Sequence, residues 1–176
     1  LEHLEFHKTF DQYRDDKANL FRNLDKHNHI KTIAGERKSI QPLGIVNLED
    51  PNAEYFIKAT KQKTAGFTSC GKAGRAAASQ EKISLPPVPQ GIPVMTAANI
   101  VSDSSSLCFD ITDSDSSVFH VKSKLPGAFN AYNLMASILA VSNVTGFSHA
   151  EVAEKIPEIT VPDLPEDPAL YLEFLI

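Results

Sequence analysis

The chain has 176 residues, of which 42% are hydrophobic and 22% are charged, and its formal net charge is −5 at pH 7. This length and composition are typical of about one globular domain, and an acidic chain without a basic stripe argues against nucleic acid as a partner. No apolar run approaches the roughly 20 residues that span a bilayer, and no signal peptide opens the chain. Two cysteines are too few for a disulfide scaffold. We therefore expect a cytoplasmic protein with no membrane contact.

The first predicted element is a helix that begins near Phe10, because Thr9 and Gln12 have the spacing of a capping box. Its apolar stripe, at helical spacing, consists of Phe10, Tyr13, Leu20, Phe21 and Leu24. Lys17 falls on that stripe, where a core residue is expected. Either its side chain reaches out to water, which spacing alone favours, or it is held inside for chemistry that needs a neutral amine.

The next signals lie around a predicted strand at residues 44–48, followed by Asp50 as a helix cap with Pro51 in the first helical position. A strand, a tight turn and a helix in that order are half of a βαβ unit. In open α/β sheets, ligands bind beyond the carboxyl ends of the strands. We therefore expect Asn47 and Asp50 to lie at a ligand site.

Residues 66–73 fit the phosphate-loop pattern G-x-x-x-x-G-K-[ST] except at the last position, where Ala73 has no hydroxyl for magnesium. The residues before Gly66 are a poor buried strand, so we interpret this near-match as a coincidence.

Residues 86–93 are rich in proline and predict an extended linker. Three strand-like runs follow at residues 94–101, 106–112 and 117–124, and the short turns between them predict an antiparallel meander.

The longest predicted helix follows Pro126 and Gly127 and ends at Gly146. Its apolar residues cover most of its circumference, which predicts burial on all sides; they are Leu134, Met135, Ile138, Leu139, Val141 and Val144. Asn130 and Asn133 lie on one face of its first turn. Either Asn130 only caps the helix, or the two amides read the edge of a base or a sugar.

A last short helix is predicted through Ile156, opened by a capping box at Ser148 and Glu151. Residues 157–176 contain prolines at 162, 165 and 168, and they predict either a tail or the start of a further domain. The chain begins at Leu1 without Met, and we expect it to have been cut from a longer protein.

Five segments in order resemble the central, ATP-binding domain of the Mur ligase family, in its UDP-N-acetylmuramoyl-tripeptide synthetase branch. They are Glu-His-Leu-Glu-Phe-His at 2–7, the spaced Tyr, Lys and Phe at 13, 17 and 21, Ile-Val-Asn-Leu-Glu-Asp-Pro-Asn at 45–52, Thr-Ala-Ala-Asn-Ile at 96–100, and Leu-Pro-Gly-Ala-Phe-Asn-Ala-Tyr-Asn at 125–133. The resemblance covers most of residues 1–156. It implies an α/β fold, namely the second half of that domain: part of a mostly parallel sheet with flanking helices plus a small antiparallel meander.

The resemblance also implies a function and a set of roles. His3 and Lys17 would help hold Mg²⁺, with Lys17 carbamylated by carbon dioxide, which would explain a lysine on a buried stripe because burial favours the neutral amine. We therefore expect Lys17 to be mostly buried, with its nitrogen turned toward the same cavity as His3. Asn130 and Asn133 would belong to the nucleotide-binding motif. The implied reaction uses ATP to convert the carboxylate of a UDP-N-acetylmuramoyl-dipeptide into an acyl phosphate, which the amine of an amino acid then attacks.

Some features depart from the family pattern. The phosphate loop is expected upstream of Leu1, so we expect the isolated chain to be inactive. Asp163 and Leu164 stand where the family usually has Gly-Arg. Two alternatives remain at this point: a related folylpolyglutamate or cyanophycin-type ligase, and a non-catalytic module that binds nucleotide or protein.

Overall fold

The computed structural model describes residues 9–26, 29–33, 35–69 and 91–159. Its elements, in chain order, are α1 Phe10–Leu24, β1 Ile30–Ile33, β2 Glu36–Ser39, β3 Leu43–Asn47, α2 Ala53–Lys58, β4 Lys63–Ser69, β5 Val94–Ser102, β6 Leu107–Thr112, β7 Val118–Ser123, α3 Asn130–Thr145, α4 His149–Lys155 and a 3₁₀ turn Ile156–Glu158. The predicted α/β class is confirmed. None of the helices within these ranges has the length and apolarity needed to cross a bilayer.

Five strands form one mixed sheet in the order β3-β4-β5-β6-β7. The β3–β4 and β4–β5 pairs are parallel, and β6 and β7 extend the sheet in antiparallel fashion from β5. The predicted meander is therefore confirmed, and its first strand also belongs to the parallel part. The sequence did not predict β4, nor the separate antiparallel hairpin of β1 and β2.

Helix α3 covers one face of the sheet and forms the core with it. Leu134, Met135, Ile138 and Leu139 of the helix are buried in one cluster with residues of β4 to β7, such as Phe109. Val141 and Val144 are 42% and 39% exposed, so the predicted burial on all sides is wrong. The helix is apolar on its outer face as well, but it packs through one face only.

The predicted ends of α3 and α4 are confirmed. Gly146 follows α3 with φ 81°, the left-handed conformation that glycine adopts without a steric penalty. At α4, the Ser148 hydroxyl accepts a hydrogen bond from the Glu151 N–H, and the Glu151 carboxylate accepts one from the Ser148 N–H. This reciprocal pair is the predicted capping box.

Helices α1 and α2 lie on the other face of β3. Phe21 of α1 lies directly over Gly44, where a Cβ would be 3.0 Å from its ring, and it stacks on Phe56 of α2 at 5.5 Å between centroids. The Thr9 side chain caps α1 by accepting from the Gln12 N–H, as predicted. The predicted apolar stripe is wrong at Phe10 and Leu20, which are 57% and 72% exposed.

Helix α2 begins later than predicted. Its N-cap is Asn52 and its first residue is Ala53, so Pro51 belongs to the preceding turn and Asp50 is not the cap. Instead, Asp50 Oδ1 accepts hydrogen bonds from the backbone and side-chain nitrogens of Asn52, at 2.7 and 3.0 Å. This arrangement is an Asx-type turn, which competes with capping for the same carboxylate.

Candidate functional site

The carboxyl ends of β3 and β4 meet the first turn of α3. The contact is made by Tyr132, whose hydroxyl donates to Glu49 Oε2 at 3.0 Å and lies 2.8 Å from Ser69 Oγ. Glu49 follows the end of β3 and Ser69 is the last residue of β4. This edge of the parallel strands is where ligands bind in open α/β sheets, so it is the candidate site.

Glu49 is the centre of the hydrogen-bond network at this edge. Its Oε1 accepts from Thr68 Oγ1 at 3.1 Å, from the Ser69 N–H at 2.6 Å and from Ser69 Oγ at 3.0 Å. Burial raises the pKa of Tyr132, an effect that the nearby Glu49 reinforces and the Ser69 hydrogen bond opposes. The phenol therefore remains protonated at neutral pH and serves as the donor to Glu49.

The two predicted asparagines lie in the same turn of α3 as Tyr132 and contact each other. Asn130 Nδ2 donates to the Pro126 carbonyl at 2.7 Å, and Asn133 Nδ2 donates to Asn130 Oδ1 at 3.1 Å. The N-cap of α3 is Phe129, so the interpretation of Asn130 as the cap is wrong. Asn130 is half-buried and Asn133 is exposed. Within the described ranges, Asn133 Oδ1 has no hydrogen-bond partner, which leaves an acceptor facing solvent.

Asn47 and Asp50 lie at the same edge, as predicted. Asn47 is the last residue of β3, and its Oδ1 accepts from the Glu49 N–H at 3.0 Å. Asp50 supports the following turn through Asn52. Both side chains are half-buried and shape the loop that carries Glu49. Whether either contacts a nucleotide remains a prediction.

Lys17 is exposed, so its predicted burial is wrong. Its Nζ lies 4.4 Å from the centre of the Tyr13 ring, which is a cation–π contact at the surface of α1. The buried position on this helix is Ala18, and Arg14 lies over the Tyr55 ring at 4.5 Å. The packed face of α1 is therefore rotated away from the predicted stripe by about one residue, or roughly 100°.

The predicted metal site includes His3, which lies outside the described residues. Within the described ranges, no group of three or more His, Cys, Asp or Glu side chains is arranged to hold a metal ion. The roles of His3 and Lys17 at a metal stay predictions.

Sequence reasoning missed Glu49, Ser69 and Tyr132. Two signals were available: Glu49 directly follows the predicted strand at residues 44–48, and Tyr132 lies between the two asparagines in sequence. Neither signal indicates that the two side chains meet across 83 residues of sequence.

A cavity of about 300 Å³ opens at the opposite edge of the sheet, near the amino ends of β3 and β5. Its walls are largely apolar, with Leu43, Val94 and Leu139 among them, and the contacting pair Asp113 and His149 lies on one side. None of the predicted site residues lines it. The cavity is therefore separate from the candidate site.

Comparison with known proteins gives consistent matches over this fold. Residues 1–141 match the Mur ligase middle domain. Over 157 residues the chain is 39% identical to a UDP-N-acetylmuramyl-tripeptide synthetase of Treponema denticola, a match that covers 89% of this chain and 26% of that protein. It is 34% identical over 164 residues to the protein of the same name from Treponema pallidum, covering 88% of this chain and 28% of that protein.

A third relative is a UDP-N-acetylmuramoyl-L-alanyl-D-glutamate–2,6-diaminopimelate ligase of Alkaliphilus metalliredigens. It is 26% identical over 158 residues, which cover 90% of this chain and 25% of that protein. The chain thus spans about a quarter of the length of the curated relatives that it matches.

Proposed function

The chain belongs to the Mur ligase family, and on that basis we propose that it forms the nucleotide-binding part of an ATP-dependent ligase. The ligase joins an amino acid to UDP-N-acetylmuramoyl-dipeptide, a step of peptidoglycan synthesis. The names of its relatives, tripeptide synthetases and diaminopimelate ligases, support this substrate class. They favour it over the folylpolyglutamate and cyanophycin-type alternatives.

The observation that carries the proposal is the position of the Asn130–Asn133 pair. It lies in the first turn of α3, the turn that Tyr132 joins to the carboxyl ends of two parallel strands through Glu49 and Ser69. Side-chain amides offer both donors and acceptors, which suits them to the polar edges of a base and the hydroxyls of a ribose. Asn133 Oδ1 is the acceptor that we assign to the nucleotide.

The proposed reaction has two steps. The carboxylate of the dipeptide attacks the γ-phosphorus of ATP, which gives an acyl phosphate and ADP. The amine of the incoming amino acid then attacks the acyl carbon, and phosphate leaves with formation of the amide and loss of a proton. Mg²⁺ would supply charge neutralisation on the transferring phosphoryl group.

Lys17 is proposed to act near the phosphates as a carbamate. The ammonium group first loses one proton, and the neutral amine then adds to carbon dioxide with loss of a second proton. The two steps together convert a cation into an anion on the same side chain. This proposal rests on the family to which the chain belongs and not on burial, since Lys17 is exposed. His3 is proposed as its neighbour at the metal.

The test uses a ligase of full length that carries this chain as its middle domain. Phosphate release should require ATP, UDP-N-acetylmuramoyl-dipeptide and an amino acid together. Lys17→Ala should abolish ligation, and added formate or acetate should restore part of it by replacing the carbamate oxygens. Lys26→Ala, which changes another exposed lysine just beyond α1, is the matched control and should remain active. Full activity of Lys17→Ala without added acid would refute the role of Lys17.

A further inference from the structure

We propose that Glu49 and Tyr132 are positioning residues: their hydrogen bond sets the orientation of the α3 turn that presents Asn130 and Asn133 to the nucleotide. The expected effect on nucleotide affinity rests on the proposed function. The geometric part, the orientation of the α3 turn, concerns the chain without any ligand and can be tested separately.

Glu49 is well suited to be the fixed end of this contact. Its Oε1 accepts three hydrogen bonds from Thr68 and Ser69, the last two residues of β4. Both residues are buried, with 2% and 5% exposure, so they anchor the carboxylate to the rigid part of the sheet. Its Oε2 is then directed at the Tyr132 hydroxyl. A charge-assisted hydrogen bond of this kind is stronger and more directional than a neutral one.

Tyr132 is well placed to hold the first turn of α3 in one orientation. It lies between the two asparagines, and its ring also contacts Phe67 at 6.4 Å between centroids. Successive helical side chains are about 100° apart around the axis, so holding the Tyr132 hydroxyl restrains rotation of the whole first turn. A binding constellation needs its groups within about 0.5 Å and 10–20° of the productive geometry.

The contact is not needed to hold α3 on the sheet. That task falls to the buried residues further along the helix, among them Leu134, Met135 and Ile138. Removing one phenolic oxygen should therefore leave the helix folded but its first turn less restrained. The predicted signature is a change in nucleotide affinity and in local amide exchange, at a temperature where every variant is fully folded.

The experiment compares Tyr132→Phe with Tyr55→Phe in this 176-residue chain. Tyr55 is the matched control, because its hydroxyl also donates to a carboxylate, Asp15, at 2.7 Å, but on the α1–α2 side. The probe is adenosine, followed by NMR titration. We expect Tyr132→Phe to raise the dissociation constant about tenfold and Tyr55→Phe to leave it within about twofold. Glu49→Gln, which keeps the shape but loses the charge, should fall between them.

A second measurement needs no ligand. Hydrogen exchange at the Tyr132 amide, which bonds to the Phe129 carbonyl at 3.2 Å, should be faster in Tyr132→Phe and unchanged in Tyr55→Phe. Unchanged exchange there would overturn the positioning role. Faster exchange with unaltered adenosine affinity would overturn its link to the nucleotide. If the wild-type chain binds no adenosine, the nucleotide role fails, and exchange alone decides the geometric part.

Discussion

Gly66 offers a sharp test of how the sheet is packed. It lies in the interior of β4, and a Cβ added there would be 2.6 Å from Leu48 Cδ1 and 2.7 Å from Leu48 Cγ. Leu48 is 1% exposed, so its side chain has no open space into which it can move. Alanine at this position must therefore displace a buried leucine or part of the strand.

Two opposing effects set the size of the change. Replacing glycine by alanine where the backbone tolerates it stabilises a protein by about 0.4–1 kcal/mol through the unfolded state. Overpacking a dense core costs about 1–3 kcal/mol. With three Leu48 atoms at 2.8 Å or less, the steric effect should be larger. We expect Gly66→Ala to lower the free energy of unfolding by about 1–2 kcal/mol.

The assay is equilibrium urea unfolding in a double-mutant cycle with Leu48→Ala. The leucine truncation alone should cost about 2–5 kcal/mol, as for other buried leucines. In that background the obstructing atoms are gone, so Gly66→Ala should be neutral or stabilising by up to about 1 kcal/mol. An equal loss in both backgrounds, or a gain in the wild type, would refute the packing explanation for this glycine.

Three further outcomes are expected. Ser148→Ala removes half of the α4 capping box and should cost about 1 kcal/mol in urea unfolding, and an unchanged midpoint would contradict the cap. Hydrogen bonds, led by that from Asn99, hold the pKa of Asp110 below its ordinary value, so its stabilising contribution is present above about pH 4 and is lost as the pH falls through the lowered pKa. Asp110→Asn should therefore make the acid part of the stability–pH curve shallower, whereas an unchanged slope would contradict this contribution. Lys72→Ala should leave ATP affinity unaltered, and a tenfold loss, about 1.4 kcal/mol, would mean that residues 66–73 are a real phosphate site.

Local signals predicted the helix ends because each depends on residues a few positions apart. The caps at Thr9 and Ser148 and the stop at Gly146 are all of this kind. Strand β4 was missed for the opposite reason. Gly66 weakens a strand pattern in sequence, but its presence is explained by Leu48, which belongs to a different segment and is visible only in the fold.

The packed face of α1 could not be predicted because apolar and amphipathic side chains share its circumference. Arg14 packs over the ring of Tyr55 on the packed face of the helix, and a search for apolar residues does not detect an arginine there. Phe10, which that search does detect, is 57% exposed. Long charged side chains can also cover apolar surface with their methylene groups. The prediction that Lys17 is buried is wrong for the same reason, because it depended on the position of Lys17 on the predicted stripe.

The candidate site was predicted in part. Asn47 and Asp50 lie at the expected edge, because the rule for parallel strands depends only on strand direction. The contact between Glu49 and Tyr132 depends on how α3 returns to that edge after the meander. No pattern in a single sequence predicts a contact between two residues that are so far apart along the chain.

The most direct test of the nucleotide assignment is ATP affinity, measured by calorimetry in a ligase of full length that carries this chain. We predict that Asn133→Ala weakens ATP binding by about 1–3 kcal/mol, because a buried polar group of the nucleotide loses its partner. Lys17→Ala should leave ATP affinity largely unchanged while ligation is lost. Unaltered ATP affinity in Asn133→Ala, together with a large loss in Lys17→Ala, would contradict the assignment.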